Sequence, residues 1–161
     1  MENITIRKAS EEDLNILYQF EQGVINAERP FDVTLRTGLI YYYNLKELIH
    51  SPKAHLVVAE SGNRIIASGY ARIDKSEPYL QHTHHAYLGF MYVVPDLRGQ
   101  GVNRKIMEEL KKWSKEQNIN ELRLEVYADN ASAMRAYEKL GFTKHMLEMR
   151  FNLDQTSQGG K

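Results

Sequence analysis

"VVPDLRGQGVNRKIMEEL" (Val93–Leu110) joins three kinds of segment. An apolar run stops at Pro95. Gly99 and Gly101 follow with one residue between them, and then an amphipathic, basic run begins. Upstream, "HHAYLGFMYVV" (84–94) is almost continuously apolar and aromatic, which predicts a central strand covered on both faces. Downstream, Val102, Ile106, Leu110 and Trp113 recur at spacings of four, four and three, which predicts a helix from Val102 to about Gln117. The order is therefore strand, glycine turn, helix start.

That order suits an anion. Glycine permits positive φ and lets a ligand approach the backbone closely. The first amides of a helix lack internal acceptors, and the helix dipole is positive there. Together they form a site for a phosphate or pyrophosphate. Arg98, Arg104, Lys105, Lys111, Lys112 and Lys115 are basic in this stretch, against Glu108 and Glu109. An ordinary tight turn with a solvated charged face has the same appearance, so both readings stand at this point. A P-loop is excluded, because no Gly-Lys-Ser/Thr follows. A dinucleotide fingerprint needs a third glycine and a parallel-sheet context. Here Asn103 stands instead of a further glycine, and the upstream strands look antiparallel.

The rest of the chain builds around this centre. "ITIR" (4–7) alternates as a strand. Ser10 with Asp13 has the spacing of a capping box, and Leu14, Leu17 and Phe20 continue as a helix expected to end near Gly23. "NAERPFDVTLRTG" (26–38) reads as irregular, and "NLKELIHSP" (44–52) as a short helix ending before Pro52. "AHLVVAE", the turn "SGN" and "RIIASGYARID" (54–74) read as a hairpin. "ELRLEVYA" (121–128) alternates as a strand, "NASAMRAYEKLGF" (130–142) is a helix stopped at Gly141, and "KHMLEMRFNL" (144–153) is a last strand. The order β-α-α-β-β-β-α-β-α-β gives a mixed α/β (α+β) class. One domain is expected over 1–153, with a polar, disordered tail over 154–161.

Composition sets the outer limits. The chain has 161 residues, 42% of them hydrophobic, which suits a single domain with a core. Lys+Arg is 21 and Asp+Glu is 21, so the net charge is zero. A general nucleic-acid or membrane-surface binder usually carries a basic excess, so neither partner is expected. There are no cysteines, which excludes disulfides, thiolate nucleophiles and cysteine zinc sites. No apolar stretch resembles a signal core or a membrane span, and a cytoplasmic protein is the expectation.

The residues around the glycine turn resemble the GNAT superfamily of acyl-CoA-dependent N-acyltransferases. The family's pyrophosphate motif, Arg/Gln-x-x-Gly-x-Gly/Ala, is similar to Arg98, Gly99, Gln100, Gly101, Val102 and Asn103, departing at Asn103 where the family has a small residue. A second family motif is matched by Asn130, Ala133, Tyr137, Gly141 and Phe142. The resemblance implies a twisted mixed sheet of six or seven strands, splayed between the fourth and fifth and flanked by about four helices. It also implies acetyl-CoA as cosubstrate. Pantetheine would pair with Met91, Tyr92 and Val93, the pyrophosphate would sit on the turn from Arg98 to Arg104, and Asn130 would face the pantetheine arm. A backbone N–H of the Met91–Val93 segment would polarise the thioester carbonyl, a contact commonly worth a few kcal/mol. The hydroxyl of Tyr137 would stand near the CoA sulfur as the acid.

Direct attack on a thioester needs a neutral amine. A lysine-type amine costs roughly 4.6 kcal/mol to deprotonate at pH 7, and an α-amine about 1.4. A base matters more for the first. Glu125, His84, His85, Tyr87 and a water chain are the candidates, with Glu125 placed first. Around the acceptor, Glu28 and Asp32 can attract an ammonium, Arg29 can bind a carboxylate, and Tyr42 with its tyrosine neighbours can form an amphipathic wall. His84 and Tyr87 would line the cleft from the central strand. "HTHH" (82–85) lacks a third ligand at fixed spacing, so no metal is expected. The expected acceptor is a small-molecule amine, and a homodimer is left open. The alternative function is a non-catalytic acyl-CoA sensor, although a tyrosine at 137 is not needed for binding alone.

Overall fold

The computed structural model describes residues 3–154. The chain divides into two compact units after Glu125. The first holds β1 (Ile4–Lys8), α1 (Leu14–Glu28), α2 (Leu45–His50), β2 (Ala54–Ser61), β3 (Arg64–Lys75), β4 (His84–Val93), α3 (Val102–Glu116) and β5 (Leu122–Arg123). The second holds α4 (Ala131–Lys139).

The sheet order is β1-β2-β3-β4-β5. The first four strands are antiparallel neighbours, and β5 runs parallel to β4. Its core is apolar and fully covered at Leu56, Val57, Val58, Ile66, Ala67 and Leu88. α3 covers one face with Val102, Ile106, Met107 and Leu110, all buried. Trp113, last of the predicted stripe, stacks on His55 with ring centroids 5.4 Å apart. α1 begins as predicted. Ser10 donates its backbone N–H to Asp13 Oδ2 at 2.8 Å, and Arg7 grips the same carboxylate through two bonds of 2.9 Å.

Three expectations need correction. α1 does not stop at Gly23 but runs on to Glu28. Glycine inside a helix costs only about 1 kcal/mol, and here it makes room. A Cβ at Gly23 would lie 2.6 Å from the Tyr92 ring. Among the described residues the sheet has five strands rather than six or seven. "ELRLEVYA" pairs only at Leu122–Arg123, and 144–153 forms no strand. Alternation supplies the faces of a strand, but a strand exists only by pairing. Among the described residues of the second unit there is no strand for 144–153 to pair with. Of the predicted tail, 155–161 lies outside the described residues. No helix among the described residues is long and apolar enough to cross a membrane.

Candidate active site

The middle of β4 departs from regular pairing. Tyr70 faces Gly89 and Ser68 faces Tyr92, so Gly69 alone opposes both Phe90 and Met91. This is a β-bulge, one extra residue that bends and twists the strand. Phe90 takes φ 58°, in the left-handed region that bulky residues rarely enter. On its other side β4 meets β5 only at Ala86↔Leu122 and Tyr87↔Arg123. Beyond Tyr87, up to Val93, that edge has no strand partner among the described residues. The predicted splay between the fourth and fifth strands is thus present, and the bulge lies within it.

The open edge leads straight into the glycine turn. Arg98 donates Nε to the Val93 carbonyl at 2.9 Å, and its guanidinium sits 5.5 Å from the centre of the Tyr92 ring. Gly99 and Gly101 adopt φ 76° and 83°, and Gly101 is the N-cap of α3. Both are open, with nothing near an added Cβ. Gln100 and Arg104 are exposed, Val102 is buried, and Asn103 is half-buried. The Oδ1 of Asn103 is buried without a hydrogen-bond partner among the described residues. Positive φ at two glycines, the start of α3 and a flanking arginine bring together the elements that an anion site uses.

The α1 face of the sheet is aromatic. Phe20 and Tyr92 lie 4.7 Å apart, Tyr43 and Phe90 4.8 Å, and Tyr43 and Tyr70 5.9 Å. The Arg72 guanidinium lies 5.9 Å from the centre of Tyr70 and 5.2 Å from that of Tyr87, while it bonds Asp74 at 2.8 and 2.9 Å. Tyr87 donates its hydroxyl to Glu125 Oε1 at 2.8 Å. Burial, and next the bond to Glu125, push the Tyr87 phenol well above its ordinary range. Tyr87 therefore stays a donor, and the exposed Glu125 carboxylate accepts its hydrogen bond.

The segment after α1 is held by carboxylates. Glu21 is fully buried, and its Oε2 accepts the N–H groups of Tyr42 at 2.7 Å and Tyr43 at 2.8 Å. Burial raises the carboxyl of Glu28. The Tyr42 hydroxyl opposes that shift and Asp32 adds to it. Those three predicted residues are thus neighbours. Arg29 is committed elsewhere: Nη1 and Nη2 donate to the carbonyls of Arg36 and Gly38 at 2.9 and 2.7 Å. His84 begins β4, exposed, with Nδ1 2.9 Å from the Thr83 hydroxyl. His85 is buried against Ser76 Oγ at 2.8 Å. No group of three metal-ligating side chains occurs among the described residues.

In the second unit Asn130 caps α4, its Oδ1 accepting the Ala133 N–H at 3.1 Å. Tyr137 lies edge-on to Phe142 at 6.0 Å. Gly141 takes φ 101° just past the helix. Sequence reasoning missed Glu21, Tyr70 and Arg72. For Glu21 a signal existed: Leu17, Glu21 and Ile25 are spaced by four on the buried stripe of α1.

The sequence profile of the acetyltransferase (GNAT) family matches residues 22–142. The chain belongs to the GNAT acetyltransferase family. It is thereby an acyl-CoA-dependent acetyltransferase. Among curated GNAT relatives, N-alpha-acetyltransferase 30 of Schizosaccharomyces pombe is 29% identical over 114 residues, which is 71% of this chain and 74% of that protein. N-alpha-acetyltransferase RimI of Mycobacterium tuberculosis is 28% identical over 102 residues, 63% of this chain and 60% of that one. A crystal structure of a predicted acetyltransferase with acetyl-CoA from Clostridium acetobutylicum superimposes with a TM-score of 0.72 at 20% identity, covering 95% of this chain and 98% of that chain. It shares the GNAT fold.

Proposed function

We propose that this protein moves an acetyl group from acetyl-CoA to a primary amine by direct attack within a ternary complex, with residues 1–153 acting as one catalytic domain. The observation that carries this reading is the bulged, one-sided end of β4 running into the positive-φ turn at Gly99 and Gly101. An extended pantetheine can pair with the Met91–Val93 edge while the pyrophosphate occupies the cradle from Arg98 to Arg104, and a backbone N–H there steadies the developing oxyanion.

The amine nitrogen attacks the thioester carbonyl and the C–S bond breaks. The proton lost by nitrogen goes to Glu125, directly or through water, and the departing thiolate takes a proton from Tyr137. Glu28, with Asp32 and Tyr42 beside it, supplies negative potential for an incoming ammonium. The small-molecule amines remain the first acceptors to test. Two relatives are named as N-alpha-acetyltransferases, so free α-amino groups of short peptides belong in the same panel.

The test is thiol release from acetyl-CoA with that panel, with the acetylated amine identified by mass. Amine-dependent release supports the reading. Acetyl-CoA binding with no release for any amine class points instead to a non-catalytic sensor, and absence of CoA binding removes both.

A further inference from the structure

We propose that Ser68 is a positioning residue for acyl transfer: its hydroxyl holds the β4 bulge in the shape that receives the acyl group. The inference rests on the acetyl-CoA reading above. Ser68 is fully buried on β3 among apolar neighbours, with Ile66 and Ala67 also at 0% exposure. A hydroxyl in such a place costs free energy unless it is bonded. Packing alone would be served by alanine. The Ser68 hydroxyl has one bond, donated to the carbonyl of Phe90 at 2.9 Å, with both groups buried.

Phe90 is where the strand is strained. Among the described residues of the sheet, its φ of 58° is the only positive value on a non-glycine residue, and such a strained conformation persists only where its surroundings enforce it. Three contacts do so. The Ser68 hydroxyl fixes the carbonyl. The Tyr43 ring fixes the side chain at 4.8 Å, and Glu21 anchors the backbone of Tyr43. On the other face, Gly69 leaves room for the next residue: a Cβ there would lie 2.8 Å from Met91 Sδ. Without the hydroxyl, Phe90 is freer to return to an extended conformation. The extra residue would then be absorbed and the register from Met91 to Val93 would shift. Those residues are the ones proposed to meet the thioester. The pyrophosphate cradle lies beyond Pro95, tied to this segment through the Arg98 bond to the Val93 carbonyl.

The two parts of the cosubstrate separate the effects. CoA engages the cradle and the edge but has no acyl carbonyl. In the full-length protein, Ser68→Ala is expected to weaken acetyl-CoA severalfold more than CoA, and to lower kcat about tenfold, the scale of one buried hydrogen bond. Ser68→Thr, which keeps the hydroxyl, should restore both the affinity ratio and kcat. A folded Ser68→Ala protein with unchanged kcat and an unchanged acetyl-CoA to CoA ratio, altered only in thermal midpoint, would overturn the proposal. Should Ser68→Ala fail to fold, Ser68→Cys keeps the shape with a weak donor and must show the same ratio change. Wild-type protein that binds CoA beside an insensitive variant sinks this inference alone, whereas wild type that binds neither ligand sinks the acetyl-CoA reading with it.

Discussion

Over Ala86 and Tyr87, β4 has a strand on either side; from Leu88 to Val93 it has β3 alone among the described residues. The paired half carries side-chain chemistry. Tyr87 reaches Glu125, and His85 is buried against Ser76. The open half carries backbone chemistry, with a bulge, a free edge and a turn of glycines. The contrast separates two kinds of surface on one strand. Where its backbone is spent on neighbours, only side chains remain to act. Where the backbone is left available, an extended ligand can add to the edge.

If this division holds, proton-transfer variants change rate and leave binding alone. Glu125→Gln at the paired half should lower kcat by roughly 10²- to 10⁴-fold with CoA affinity unchanged. Tyr137→Phe should fall in the same range, since only a proton donor is removed. Steady-state and single-turnover rates with the best amine measure both. A variant within a few-fold of wild type, with chemistry rate-limiting, removes that residue from the mechanism.

The open half should behave in the opposite way. Gly101→Val places a β-branched residue at φ 83°, which costs about 1–2 kcal/mol in the turn and puts a side chain over the cradle. CoA affinity should drop about 10- to 100-fold by calorimetry, with far-UV circular dichroism unchanged. Retained affinity in a folded variant would break the pyrophosphate assignment.

Within the open half, beside the bulge, stands Gly89, where a Cβ would lie 2.5 Å from the Tyr70 ring. Gly89→Ala should cost about 1–3 kcal/mol from overpacking, read as a lower denaturation midpoint. Adding Tyr70→Leu should recover part of the loss, because the two sites share one contact.

The smallest effect concerns pH. Burial, and next Arg123, lower the pKa of His85, while Asp74, Glu121 and Glu77 oppose that shift. The neutral ring is thus favoured in the folded state. Its contribution is present above the ordinary histidine value of about 6.5 and is lost as pH falls through the lowered folded value. Denaturation midpoints across pH 8 to 5 should fall less steeply in His85→Gln than in wild type. Equal slopes would show that this ring does not titrate differently on folding.

What the sequence revealed was local. The capping box at Ser10, the turn at Gly62, the stripe of α3 and the glycine turn each follow from residues a few positions apart. The features that tune the site depend on distant partners. "HHAYLGFMYVV" reads as one smooth strand, because a bulge is a mismatch of register with β3 and leaves no periodic trace. Gly23 looked like a helix end, since its reason for being glycine is a tyrosine 69 positions later. The segment 144–153 looked like a strand because alternation names its faces but not a partner. Glu125 and Tyr87 were both legible as polar groups near the cleft, yet only the parallel pairing of β5 brings them to 2.8 Å.

The seat of the Tyr92 ring has a consequence for how this sequence can drift. Gly23 and Tyr92 occupy one volume, the ring filling what a methyl group would need. Neither position is free to vary alone. Among relatives that keep this arrangement, a side chain at position 23 should appear only where position 92 has become smaller, and the large aromatic only where 23 remains bare. A set of homologues in which the two vary independently would show that the ring has another place to go.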